Sequence, residues 1–244
     1  MKILAILTSI LGFGFQSFAQ TDYTKILSDT AADMNKSKFS LSLSGGVGFR
    51  TGKDLDLINS DYRDFEKKLN IGYTIQFEPK YFITKKIGLG LFVNAFIAKA
   101  TGDVSLLVNS VSGERLNINA TQNDMMLYVG PSVSGRYFYD KFYSGYSFTA
   151  GVQGYQSKFA ATIINRSLNG KEIGWNWAAG GNLEMGYNIN NDFSIFIAAN
   201  YFYNLISKSE KTGLDGEVTT ENYKDEDKVD ASRFGLGLGV NYRF

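Results

Sequence analysis

The feature that most constrains this chain is a period of two in its hydrophobic pattern, repeated in eight separate segments. Phe39-Ser-Leu41-Ser-Leu43-Ser-Gly45-Gly-Val47-Gly-Phe49 places its large apolar side chains on odd numbers. The same parity runs through Leu69 to Phe77, Ile87 to Ala95 and Met125 to Val133. Between Phe142 and Val152 the larger aromatics Phe142, Tyr146 and Phe148 fall on even numbers. Trp175, Trp177, Leu183, Met185, Tyr187 and Ile189 share odd parity in the sixth segment, and Phe193, Ile195, Ile197, Ala199, Tyr201 and Tyr203 form the seventh. The last segment is Phe234-Gly-Leu236-Gly-Leu238-Gly-Val240-Asn-Tyr242-Arg-Phe244. Successive side chains of a strand point to opposite sides, so alternation of this length predicts β-strands with two chemically different faces.

The connections alternate too. Thr84-Lys85-Lys86, Tyr139-Asp140-Lys141 and Asn190-Asn191-Asp192 are rich in turn formers and predict tight turns. Between them lie Thr51–Lys68, Thr101–Asp124, Ser157–Glu172 and Ser207–Asp230. These are polar stretches of roughly 16 to 25 residues, longer than the loops of most compact soluble domains. Short turns at one end and long loops at the other is the asymmetry of barrels that span an outer membrane.

Alternation alone does not say which face points inward, because soluble lipocalin-like barrels also have eight up-and-down strands, with the apolar face inside. Three features favour an apolar exterior. The strands are long, about 11 to 16 residues, where about 9 to 11 tilted residues cross a bilayer. The second face carries Ser, Gly, Asn, Gln and Thr, which suits a narrow polar interior. Aromatics gather near the strand ends: Phe77, Tyr81, Tyr137, Tyr139, Phe142, Tyr187, Phe193, Tyr242 and Phe244 by the turns. Tyr73, Trp175, Tyr201 and Tyr203 lie toward the loops, completing two interfacial girdles. The expected fold is all-β: an eight-stranded antiparallel up-and-down transmembrane β-barrel.

Ahead of the strands, Lys2 precedes an apolar run from Ile3 to Phe15 and then Ser17-Phe18-Ala19. This pattern predicts a secretory signal peptide over 1–19, cut after Ala19. The run falls short of the roughly 18 to 20 apolar residues of a membrane anchor. Residues 20–37 read as a short polar periplasmic leader, and 38–244 as the barrel.

Composition narrows the chemistry. The chain has 25 Lys+Arg against 24 Asp+Glu, no His and no Cys. Such a balance offers no basic stripe for nucleic acid. Without Cys there are no disulfides, thiolate metal sites or cysteine nucleophiles, and without His a Ser-His-Asp triad cannot form. The glycine runs Gly235-Leu-Gly237-Leu-Gly239 and Gly45-Gly46-Val-Gly48 lack the spacing and strand-to-helix setting of a dinucleotide site. Gly52-Lys53 is followed by Asp54, so a phosphate loop fails as well. Inward glycines instead make room in a crowded lumen and ease curvature. Asp225-Glu226-Asp227 with Asp230, and Asp54 with Asp56, could offer oxygen ligands to Ca²⁺ or Mg²⁺, but their spacing matches no cation loop and solvated loops are the plainer reading. No cofactor and no catalytic activity are expected.

On these residues the chain resembles the small eight-stranded outer-membrane β-barrels of the OmpA/OmpX type from Gram-negative bacteria. The resemblance is carried by the N-terminal signal, the hairpin from Pro79 to Leu91, Gly130-Pro131 with Arg136-Tyr137-Phe138, and Gly237-Leu-Gly239-Val-Asn-Tyr242-Arg-Phe244. It covers residues 38–244 and implies a protein of the outer membrane, in contact with its lipid and lipopolysaccharide. Tyr242 and Phe244 are similar to the terminal recognition strand read by the barrel-assembly machinery. Unlike in full OmpA proteins, no C-terminal peptidoglycan-binding domain is expected, since the alternating pattern runs to Phe244. Asp29-Thr30-Ala31 is similar to an O-glycan acceptor of some Gram-negative envelopes. Asn119-Ala-Thr121 and Asn165-Arg-Ser167 match the N-glycosylation acceptor, which is uninformative in such an envelope. The enzymes known on such barrels use His, which this chain lacks.

Parity places Glu78, Arg136 and Glu184 inward, each four to six residues above its periplasmic turn. They are expected to meet in an ion-pair layer across the narrow lumen, with Lys80 and Arg243 balancing the second carboxylate. Separate hydration of each charge is the plainer alternative. The expected function is non-enzymatic, with a structural or surface-interaction role through four long extracellular loops. The alternatives are a passive conduit for small or hydrophobic solutes, or a subunit of an envelope secretion or assembly complex.

Overall fold

A computed structural model describes residues 37–52, 60–109, 114–163, 166–213, 217–223 and 229–244. The expected signal peptide, nearly all of the expected leader with Asp29-Thr30-Ala31, and the acidic residues Asp54, Asp56 and Asp225 to Asp227 lie outside them. The strands are β1 (Phe39–Arg50), β2 (Ile71–Phe82), β3 (Ile87–Asn109), β4 (Glu114–Tyr139), β5 (Phe142–Ile163), β6 (Arg166–Asn188), β7 (Phe193–Ile206), β8 (Lys208–Thr212), β9 (Val218–Asn222), β10 (Val229–Asp230) and β11 (Arg233–Arg243). A helix, α1 (Ser60–Lys67), and a 3₁₀ turn over Lys68–Asn70 precede β2.

Eight of the strands close a ring of antiparallel neighbours, β1 to β7 followed by β11, which pairs with both β7 and β1. Stepping from partner to partner once around the wall gives the stagger. Ser40 pairs with Lys80, then come Gly90, Ser132, Thr149, Gly180, Phe202 and Arg233, and the circuit returns to β1 at Arg50. The register thus climbs from residue 40 to residue 50 per turn. Ten residues of shear on eight strands, at about 3.3 Å per residue and about 4.8 Å between strands, incline the strands by about 40°.

Parity sorts the faces as expected. Leu43, Val47, Ile75, Leu89, Val133, Phe148, Met185, Ile197 and Leu238 face outward and are exposed, while Ser42, Ser44, Gln76, Asn94, Ser132, Ser147, Asn182 and Asn241 face inward and are buried. Exposed Tyr81, Tyr137, Tyr139 and Phe142 ring the turn end, and Tyr73, Trp175, Trp177 and Tyr203 ring the other. Inward glycines allow close strand contact. A Cβ on Gly46 would stand 1.9 Å from the Leu236 carbonyl oxygen, so no other residue fits where β1 meets β11.

Two of the expected loops are not loops. β3 and β4 stay paired to Asn109 and Glu114, and β5 and β6 to Ile163 and Arg166, so Thr101–Asp124 and Ser157–Glu172 are mainly β-hairpin. Beyond Ile97 the same two faces exchange polarity. Ala98, Ala100, Val104, Ile118 and Ala120 face inward and are buried, while Lys99, Thr101, Asp103 and Asn119 face outward and are exposed. An apolar exterior suits lipid and an apolar interior suits water outside, so the exchange marks where the belt ends. The sheet continues past that level, and β8 and β9 extend it beside β6. Phe65 of α1 and Leu69 of the 3₁₀ turn pack into the apolar interior of this extension.

Candidate functional site: the lumen and the loop-end sheet

The lumen is filled in layers, starting at the turn end. Arg136 donates to the carbonyl oxygens of Lys85 (3.1 Å) and Ser37 (2.6 Å), and its guanidinium lies 3.6 Å from the centroid of Phe82. Arg243 donates to the carbonyls of Asn191 (2.9 Å) and Asn190 (3.3 Å) and lies 5.3 Å from the ring of Phe138. Both arginines therefore bind turn backbone, and Arg136 also binds the segment just before β1. They are not partners of the carboxylates, which corrects the expected pairing.

Above them Lys80 is the centre of a buried triad. Its Nζ stands 3.1 Å from Glu78 Oε2 and 3.0 Å from Glu184 Oε1. Glu78, wholly buried, also accepts from the hydroxyls of Ser132 (2.9 Å), Ser134 (3.2 Å) and Ser147 (3.3 Å). Glu184 accepts from Asn182 Nδ2 at 3.0 Å. Of the five charges expected to form one layer, the structure joins Glu78, Lys80 and Glu184 and leaves Arg136 and Arg243 at the rim. Distance from the turn separates them: Glu78 and Glu184 each stand six residues from Thr84 and Asn190 and share Lys80, whereas Arg136 stands three residues from Tyr139. Direct pairing also excludes separate hydration of the two carboxylates.

Next comes an amide contact, Asn200 Nδ2 to Gln76 Oε1 at 3.1 Å. Three fully buried rings then cross the barrel. Phe92 and Phe202 are 5.5 Å apart, Tyr128 and Phe202 4.7 Å, and Phe92 and Tyr128 6.2 Å between centroids. Tyr128 Oη is fixed 2.6 Å from Thr149 Oγ1. Arg233, 1% exposed, lies over Phe202 and donates to Asn94 Oδ1 through Nε (3.3 Å) and Nη2 (2.9 Å), and to Gln153 Oε1. Higher still, Arg50 pairs with Asp124 at 2.8 Å, and Tyr155 Oη donates to the same carboxylate at 3.3 Å. The apolar interior under α1 closes the top. Sequence reasoning missed Arg233, Arg50 and Asp124, although each lies inward by parity just beyond or at the end of an apolar segment.

At the loop end, Glu172 on β6 accepts from Ser209 Oγ (2.7 Å) and Tyr223 Oη (2.9 Å), tying the β8–β9 hairpin to the wall. Lys211 meets Glu221 at 2.7 Å across that hairpin, and this hydrogen bond holds the Glu221 carboxyl below its ordinary pKa. Among the described residues no group of three or more acidic side chains is placed to hold a metal ion. Tyr242 and Phe244 point outward at the turn end, where Phe244 stacks against Phe39 (5.3 Å) and Tyr242 (4.6 Å).

An outward apolar belt, two aromatic girdles and a closed wall around a polar lumen define a small eight-stranded transmembrane β-barrel. No protein-family model matches the sequence, and no curated protein matches it either. In fold it is similar to outer membrane protein OprG from Pseudomonas aeruginosa, with 14% identity over 86% of this chain and 99% of that one at a TM-score of 0.44. It is likewise similar to Ail, the attachment invasion locus protein of Yersinia pestis, at 14% identity over 85% and 99% with a TM-score of 0.42. The outer membrane protease OmpT from Escherichia coli is 10% identical over 85% and 96%, with a TM-score of 0.46.

Proposed function

We propose that this chain is an integral protein of a Gram-negative outer membrane that acts without catalysis, by presenting its loop-end sheet to partners outside the cell. One observation carries this reading. The lumen is filled from the rim arginines to the apolar cap, whereas the sheet runs beyond the lipid belt with a polar outward face. The filled layers disfavour a conduit. The strands that rise past the membrane have no further role in closing it, so their exposed face is free for recognition. The belt contacts outer-membrane lipid and lipopolysaccharide, and the barrel-assembly machinery reads the C-terminal strand through Tyr242 and Phe244. The termini and short turns are periplasmic in this arrangement.

The test uses intact cells and native membranes. Added protease should cut within Ser207–Asp230 and spare Asn190–Asp192, and a variant with residues 101–121 replaced by a short turn should still assemble. Co-purification under native conditions should recover a partner with the full chain and lose it with the trimmed one. Cleavage at the turn alone, or equal recovery by both chains, would contradict the proposal; recovery of an envelope assembly complex would favour the subunit role.

A further inference from the structure

We infer that a small cavity at the turn end is a binding site for a small monovalent anion, chloride, held by Arg136, Tyr143 and Arg243. All three line the same cavity of about 20 Å³, together with Ser40 of β1 and Asn241 of β11. Arg136 is 5% exposed and Tyr143 is 7% exposed, and in each a polar atom has no acceptor from the protein: Arg136 Nη1 and Tyr143 Oη. Arg136 Nη1 can only donate and Tyr143 Oη can donate as well, so one acceptor between them completes both. Buried donors left without a partner are costly, which makes two in one cavity an argument for a ligand.

Charge separates an anion from a water molecule. Glu184 also lines the cavity; its charge is balanced by Lys80, which it meets through Oε1, an oxygen that also accepts from Asn182. Among the described residues, the buried charged side chains at this end are Glu78 and Glu184 against Lys80, Arg136 and Arg243, an excess of one positive charge. Arg136 meets only neutral carbonyl oxygens and aromatic rings among the described residues, and the one carboxylate acting on Arg243 is the solvent-exposed Asp192. A water would satisfy the donors and leave the excess charge buried; one monovalent anion removes both costs. The volume admits a group of that size and little more. Because Arg136 grips the carbonyl of Ser37 and the cavity touches β1 and β11, the bound anion strengthens the seam where the first and last strands close the barrel.

The experiment compares thermal unfolding of the purified full barrel in detergent, in sodium bromide and in sodium gluconate at equal ionic strength. Bromide is a chloride-sized probe and gluconate is too large for the cavity. At about 100 mM, bromide should raise the unfolding temperature of the wild type by roughly 2 to 4 °C. Tyr143→Phe, which removes one hydroxyl, should lose most of that rise while remaining folded, and Arg136→Gln should lose all of it. Crystals soaked in bromide should give an anomalous peak between Arg136 Nη1 and Tyr143 Oη. Equal unfolding temperatures in the two salts, a rise shared by the wild type and Tyr143→Phe, or no peak in the cavity would overturn the assignment.

Discussion

Replacing Lys80 by Met keeps most of the side chain's length and removes its charge, leaving Glu78 and Glu184 buried without a cation. In the wild type Lys80 stands 3.1 and 3.0 Å from the two carboxylates, and none of the three side chains is more than 6% exposed. Breaking a buried pair costs about 3 to 5 kcal/mol, or about a hundredfold to a few thousandfold in the folding equilibrium. With a urea slope of about 2 kcal/mol/M, the unfolding midpoint in detergent should fall by roughly 1.5 to 2.5 M. Arg136→Met frees two neutral carbonyl oxygens and strands no charge, so its cost should be smaller. The two acids should differ in rescue. Glu78 retains three hydroxyl donors, whereas Glu184 retains only Asn182. Adding Glu184→Gln to Lys80→Met should therefore recover more stability than adding Glu78→Gln. A Lys80→Met barrel with the wild-type midpoint, or an Arg136→Met barrel less stable than Lys80→Met, would refute this account of the lumen.

Gly46→Val should prevent closure, because even a Cβ meets the Leu236 carbonyl at 1.9 Å; the heat-modifiable band on gels should vanish, whereas a heat-modifiable Gly46→Val would show that the seam relaxes. Phe244→Ser should lower the amount of barrel in the membrane at high expression while changing unfolding stability little, since the side chain is exposed; unchanged membrane levels would tell against an assembly role. The lowered Glu221 pKa sets a direction for pH: its contribution is present above the ordinary carboxylate pKa of about 4.3 and is lost as pH falls through the lowered value. Hydrogen exchange in β8 and β9, corrected for intrinsic rates, should therefore speed up on acidification below that range, and Glu221→Gln should abolish the change.

Face assignment was legible because period two acts locally: Leu43, Ile75 and Leu238 face out and Ser42, Gln76 and Asn241 face in, as parity requires. Depth was read too coarsely, because a window of a few residues spans more than one layer: Glu78 and Glu184, six residues from Thr84 and Asn190, share Lys80, and Arg136, three residues from Tyr139, sits at the rim. That is why Arg136, counted up from its turn, seemed level with Glu78 and lies below it. Strand length was misread for a different reason. Across Ile97 the apolar residues pass from odd to even numbers, to Ala98, Ala100 and Val104, which breaks a pattern read as one continuous face. The alternation had not stopped; the medium outside had changed. Arg233 was missed because the last segment was read from Phe234, one residue late.

The central claim is that this barrel is filled and works at its surface, and conductance in a planar bilayer tests it most directly. The wild type should insert without steady current, since Phe92, Tyr128 and Phe202 cross the lumen with no exposure and Arg233 seals the level above. Replacing Phe92 and Phe202 together by Ala, which opens a cavity at that level, should allow at most brief, small openings, because the Glu78–Lys80–Glu184 triad still closes the barrel below it. A wild-type barrel that carries a stable, reproducible single-channel current would contradict the account and return the conduit reading to first place.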